Sequence, residues 1–322
     1  MMWWVALSFA MLQLGQPEIV VAAGQARAEA QAIDKSFDAQ AQMQLAKARR
    51  TSMKGAKGAE REAGYWASAV AYAAVGVHWP DAGLLLLMEA AYREGECWRV
   101  LGESGRAVGA FAEVCSLASG GGFDENGRKL ISPARGLSRK ETSERGVWHA
   151  RAWLERGHCA RRGEIWLRAL TCYSKALAVR AAPLRQKNDA REWLAKTHFK
   201  VANWQEAVEF FGDWAEHAET PAEKVRARDG QARAWLGLAS SAEADATISA
   251  HGLAQAQQCM VSLQTEMATL VRDPGKEGES VRKALARMVT PGLLAEQAVT
   301  AEVSIASLAE AKPASKARPQ SP

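Results

Sequence analysis

Apolar and small residues recur along the chain at helical spacing, and no stretch alternates with period two, so helices are expected throughout. Residues 3–14 form an apolar run beginning Trp3-Trp4-Val5-Ala6-Leu7. Residues 25–50 read as helix, 50–58 as a flexible break, and 60–75 as a second helix carrying Tyr65, Trp66, Ala69, Val70 and Ala73 on one face. His78-Trp79-Pro80-Asp81 ends that helix, with Asp81 placed to cap the next. Ser119-Gly120-Gly121-Gly122, followed by Pro133 and Gly136, predicts a loop insertion over 118–137. A helix is expected from Pro221 to Leu238, then others over 242–257, 258–272, 279–289 and 293–310. Gly252, Pro274-Gly275 and Pro291-Gly292 are their expected breaks. The tail 312–322, rich in Lys, Pro, Ser and Ala, reads as disordered.

Inside this pattern one spacing occurs three times. Gly95 is followed by Trp98 at +3, Ala107 at +12 and Phe111 at +16. Gly157 is followed at the same offsets by Ala160, Ala169 and Tyr173, and Ala195 by His198, Ala207 and Phe211. A small residue in mid-helix lets a second helix approach toward the short end of the roughly 8–10 Å range of interaxial distances. Gly95, Gly157 and Ala195 are then contacts on the first helix of each pair, and Ala107, Ala169 and Ala207 those on the second. Phe111, Tyr173 and Phe211 lie one turn further on and are expected to fill the space between consecutive units. The intervening segments, Leu101-Gly102-Glu103-Ser104-Gly105, Arg162-Gly163-Glu164 and Ala202-Asn203, contain Gly or Asn, which tolerate the left-handed conformation of a helix end.

This pattern resembles the tetratricopeptide repeat (TPR), a motif of about 34 residues built as two antiparallel helices. The resemblance covers residues 82–220. Trp153-x3-Gly157 and Leu194-Ala195 match the start of the motif. Trp166 and Trp204 precede Ala169 and Ala207 where the family often has an aromatic, and Pro183 and Pro221 follow the second helices. Glu94 and Arg156 depart from it, standing where a leucine is preferred. The spacing departs too: Gly157 lies 62 residues after Gly95, and Ala195 lies 38 after Gly157. The insertion accounts for the longer interval. The fold implied is an all-α solenoid of antiparallel helix pairs, a right-handed superhelix. Its divisions are 1–24, a signal peptide or N-terminal apolar helix; 25–81, N-terminal helices; 82–240, repeats; 241–311, C-terminal helices; and the tail.

Composition fits a folded helical protein. Of 322 residues, 48% are hydrophobic and 24% charged, with few Pro, Tyr and Phe. The twelve tryptophans concentrate in or beside the repeats and read mainly as packing residues. The net charge is +5. Its two basic clusters, Lys47–Arg61 and Arg128–Lys140, lie in segments rich in small residues and read as solvated linkers. They lack the exposed aromatics of a nucleic-acid interface, so no nucleic-acid partner is expected. The five cysteines form no C-x-x-C pair; Cys97 and Cys159, each two residues after a repeat glycine, read as small core residues. The apolar run is of signal-peptide length and is followed by Val21-Ala22-Ala23 and Ala26-Arg27-Ala28, although no Lys or Arg precedes it. It is shorter than the roughly 20 residues of a membrane span. Export to a periplasmic or membrane-associated location is favoured over a cytoplasmic one, which would bring the chain near a membrane. The odd cysteine count weighs the other way.

No catalytic or metal-binding spacing is present. His78, His149, His158, His198, His217 and His251 form no H-E-x-x-H, and neither G-x-S-x-G nor G-x-G-x-x-G occurs. The glycine run lacks a phosphate-loop signature, and Asp124, Glu125 and Asn126 lack EF-hand spacing. Neither cofactor, metal nor enzymatic activity is expected. The resemblance instead implies a protein-binding scaffold or adaptor whose first helices line a concave groove. There the residues three before, one after and five after each small residue face a partner: Tyr92, Glu96 and Val100; Leu154, His158 and Arg162; Glu192, Lys196 and Lys200. Relatives that clamp a peptide's terminal carboxylate carry Lys and Asn at the first two of these places, and the first two units have neither. Arg162, Lys196 and Lys200 make the groove locally basic, which suits an acidic peptide. Two rival readings are an exported envelope-associated assembly factor and an enzyme with a site in the C-terminal helices or the insertion.

Overall fold

The computed structural model describes residues 29–32, 38–120, 136–241, 244–268, 270–272, 275–288 and 292. The apolar run at 1–24, most of the 118–137 insertion, the helix expected over 293–310 and the tail 312–322 lie outside the described residues. The described chain is all-helical. The helices are α1 (Ala39–Ser52), α2 (Gly58–His78), α3 (Leu84–Val100), α4 (Ser104–Ala118), α5 (Arg139–Arg162) and α6 (Trp166–Leu177). Then follow α7 (Leu184–Lys200), α8 (Trp204–His217), α9 (Pro221–Ala239), α10 (Ala246–Met267) and α11 (Lys276–Leu285). Sequential helices pack as antiparallel neighbours. The chain divides into two units between Thr197 and His198.

Local chemistry sets the helix ends. Asp38, Thr220 and Asp245 cap α1, α9 and α10 by accepting hydrogen bonds from backbone N–H groups of the first turn. Ser138 and Glu141 form a capping box at the start of α5. Pro221 occupies the first turn of α9, where its missing N–H costs nothing. Asp81 does not cap α3. The chain first turns through an Ala82 N–H to Trp79 C=O bond, which delays the helix until Gly83 is its cap.

The three recurring units end their first helices in one way. Gly102, Glu164 and Ala202 adopt φ of 82°, 57° and 59°, each seven residues after its unit's small residue. The N–H of the next residue donates back to a carbonyl in the last turn: Glu103 to Trp98 at 3.0 Å, Ile165 to Ala160 at 2.9 Å, and Asn203 to His198 at 3.0 Å. These are Schellman closures. The expectation that Gly163 and Asn203 take the left-handed place is corrected: both have negative φ, and Glu164 and Ala202 take it. The six-to-one hydrogen bond fixes the position by counting from the helix, whichever residue stands there.

In the first unit, the core runs from Ala30 through α1–α5. Gly95 and Gly157 are two of its close approaches. A Cβ on Gly95 would stand 2.6 Å from Cε1 of Phe111, and one on Gly157 2.4 Å from Cε1 of Tyr173. Each of these two rings therefore lies across the glycine of its own pair, and Tyr173 also stacks on Trp193 of the following pair, with centroids 6.2 Å apart. Trp98, Ala107, Phe111, Ala169, Tyr173 and Ala195 are fully enclosed, and Ala160 is buried. Two buried polar groups are satisfied across the α1–α2 contact: Gln42 Nε2 donates to Ala71 C=O, and Ser68 Oγ to Ala46 C=O. Arg106 lies between the Trp66 and Trp98 rings, 4.5 and 4.7 Å from their centroids, and makes two 3.1 Å hydrogen bonds to the Glu29 carboxylate. That fork secures the 29–32 segment to α4.

In the second unit, α8 packs on α9, and α9 on α10 and α11. Ala207 and Phe211 are buried, and the Phe211 ring lies over Gly230 of α9. His198 stacks on Phe210 with centroids 5.3 Å apart. Val225, Ala232 and Leu236 meet Ala256, Met260, Leu263 and Val281 in a separate core. The expected break at Gly252 is absent. Residues 246–267 form one helix, and Gly252 is where α10 reaches α9, its hypothetical Cβ 2.8 Å from Trp235 C=O. The glycine there relieves a backbone contact instead of ending a helix.

Non-glycine residues in the left-handed region cost roughly 1–2 kcal/mol. Glu164→Gly and Ala202→Gly should each therefore stabilise the protein by about 1 kcal/mol in urea unfolding. Unchanged or lowered stability in both variants would contradict the shared turn geometry.

Candidate functional site

In the first unit the odd-numbered helices α1, α3, α5 and α7 touch in succession, and charged side chains join them. Lys47 and Arg50 of α1 reach Glu89 and Glu96 of α3 at 3.4 and 2.8 Å. Arg93 of α3 shares both carboxylates. Arg99 of α3 lies 3.3 Å from Glu155 of α5. His158 of α5 meets Trp193 of α7 edge-on, with centroids 4.9 Å apart. The basic cluster around Lys47 is thus no solvated linker. Lys47, Arg49 and Arg50 belong to α1, Lys47 and Arg50 pair with α3, and Arg49 donates to Ala67 C=O of α2.

The expected groove residues fall into different settings. Tyr92 is buried between Phe111 and Trp148, at centroid distances of 5.4 and 5.2 Å, and Leu154 is buried as well. Glu96 is half-buried and held by Arg50 and Arg93. Val100 and Arg162 are exposed at the ends of α3 and α5. His158 is half-buried, its Nδ1 2.9 Å from the Tyr173 hydroxyl. Glu192 and Lys196 pair with each other along α7. Lys200 is exposed and belongs to the second unit.

The electrostatics follow from this partial burial. Burial works against the Glu96 carboxylate, but hydrogen bonds and charge from Arg93 and Arg50 outweigh it and lower its pKa. Glu155 shifts the other way: burial raises its pKa, and Arg99 and Arg162 only partly oppose this. His158 is pushed down to about 4, first by burial and then by Arg161, Arg162 and Arg99, so its ring is neutral near pH 7. The five cysteines are buried thiols, and burial pushes Cys97, Cys115 and Cys159 up to about 11.

Sequence reasoning missed four participants: Arg99, Arg161, Trp148 and Trp193. The signal for the arginines was present. Both stand four residues after their unit's glycine, one step from the position assigned to the groove. Trp148 and Trp193 have no common offset from the repeat, so spacing does not reveal them.

No group of three or more His, Cys, Asp or Glu side chains able to hold a metal occurs among the described residues. No helix among them is long and apolar enough to cross a membrane.

The folded-state pKa of His158 lies below its ordinary 6.5. The stability from keeping this ring neutral is therefore complete above about 6.5 and is lost as pH falls toward about 4. In an NMR titration the His158 imidazole should stay neutral until pH approaches 4. A midpoint near 6.5 would show an open, solvated ring. Compared with known proteins, the chain matches no protein-family model, no curated protein and no solved structure.

Proposed function

We propose that this protein is a non-catalytic scaffold or adaptor that holds a protein or peptide partner along the odd-helix face of its first unit. We further propose that its helix pairs are tetratricopeptide-type repeats arranged as a solenoid. The observation that carries the reading is the succession α1–α3–α5–α7, whose side chains are cross-linked by ion pairs and aromatic contacts. Such a face is held in shape before a partner arrives, so less ordering entropy opposes binding. The recurring Schellman turns support the repeat assignment, because one closure at one offset in three units is the mark of one structural module. The exposed end of the face, with Arg162 and Lys196, is the accessible part of the groove read from the sequence.

The test is quantitative affinity capture with the intact chain, read by mass spectrometry beside an Arg162→Glu/Lys196→Glu variant. Specific partners should fall roughly tenfold, about 1.4 kcal/mol, while circular dichroism and melting stay unchanged. Equal recovery of the same partners by both proteins would remove this face from the binding surface.

A further inference from the structure

Two indoles on this face share one arrangement. Trp148 of α5 has Arg93 of α3 at 5.6 Å and Arg151 of α5 at 5.5 Å from its ring centroid. Trp193 of α7 has Arg161 of α5 at 4.6 Å and Lys196 of α7 at 4.9 Å. Each indole therefore takes one cation from the preceding odd helix and one from three residues further along its own. At each station one cation already has carboxylate partners. Arg93 pairs with Glu89 and Glu96, and Lys196 pairs with Glu192. The other, Arg151 or Arg161, has no carboxylate within 4.0 Å among the described residues.

Other polar groups lack partners beside these cations. Among the described residues the Trp148 Nε1–H and Arg161 Nε are buried without an acceptor, while the Arg161 guanidinium hydrogen-bonds the Tyr173 hydroxyl. Trp148 also lines an open cavity of about 730 Å³ with Arg139, Lys140, Ser143, Glu144 and Val147. The neighbouring carboxylates Glu89, Glu96, Glu155 and Glu192 are engaged within the fold. Excess cations along a line of helices are complementary to a chain of carboxylates.

We propose that the two cation–indole stations, at Arg151 with Trp148 and Arg161 with Trp193, bind carboxylate side chains of an extended acidic peptide. This rests on the scaffold reading and names the chemistry of its partner. A single-stranded nucleic acid presents anions as well, but it is held chiefly by bases stacking on exposed rings. Trp148 is only 7% exposed and carries cations against its ring, so it offers no stacking platform. Recognition here works through the cations, with the indoles orienting the guanidinium planes.

The intact chain is titrated with a fluorescein-labelled peptide of alternating Glu and Ser, with its Gln/Ser counterpart, and with oligo-dT of matching charge. The Glu peptide should bind, the Gln peptide should bind at least about tenfold more weakly, and oligo-dT should bind no better than the Gln peptide. Arg151→Gln and Arg161→Gln should each weaken the Glu peptide by roughly tenfold, and the double variant by more, because the stations act on one ligand. Arg151→Lys and Arg161→Lys, which keep the charge but lose the planar fork, should bind more tightly than the Gln variants and more weakly than the wild type if melting is unchanged. Equal binding of Glu and Gln peptides, tighter binding of oligo-dT, or wild-type affinity in the folded Gln variants would each overturn the proposal. Selection from a random peptide library on the same chain separates this failure from that of the scaffold reading. Enriched neutral peptides would overturn the acidic assignment alone, and no enrichment would overturn both.

Discussion

The first unit depends on helix positions that lack a side chain, two of which lie under an aromatic ring. At Gly95 and Gly157 the missing Cβ is replaced by the ring of Phe111 or Tyr173, lying directly on the helix backbone. Interiors packed to crystal-like density have no slack to absorb an added methyl against a ring. The contact therefore fixes both the separation of the paired helices and their register. At Gly95 and Gly157 the +16 offset follows, because a ring one helix away meets the glycine only when the turn between them has one length; Phe211, at the same offset from Ala195, lies instead over Gly230. The Schellman closures supply that length, with Glu164 in a conformation that disfavours glutamate because the bond geometry requires it.

The character of the odd-helix face follows from this spacing. Pairs closed by glycine and ring set α3 and α5 side by side, near enough for Arg99 to reach Glu155 and for Tyr92 to lie against Trp148. The same closeness withdraws Glu155 and His158 from water and moves their pKa values in opposite senses of charge. Both changes favour the neutral forms, raising the carboxylate and lowering the imidazole. Carboxylates are consumed by internal pairs, and the cations left over sit on indoles. The face is polar without being balanced in charge.

Much of this was legible in the residue order, and the failures are specific. The small-residue and aromatic spacing was visible because packing demands it locally. Glu164 and Ala202 were not visible as left-handed residues, since Gly163 and Asn203 beside them have the better intrinsic preference. Gly252 was read as a break because propensity alone cannot tell a helix-ending glycine from one that admits a neighbouring helix. Tyr92 and Leu154 were assigned to the groove by position within one helix. Their burial comes from the packing of neighbouring elements, which a single helix's pattern does not encode. Lys47 and Arg50 read as linker charges because their partners, Glu89 and Glu96, stand some forty residues away.

The glycine-under-ring constraint is open to one direct measurement, a double-mutant cycle of Gly157→Ala with Tyr173→Leu followed by urea unfolding. Alanine gains about 1 kcal/mol of helix propensity over glycine, so propensity alone favours the substitution. With the Tyr173 ring in place, Gly157→Ala should instead destabilise by roughly 1–3 kcal/mol. In the Tyr173→Leu background that loss should shrink or reverse, giving a coupling above about 1 kcal/mol. Additive effects, with alanine stabilising both backgrounds alike, would contradict the account.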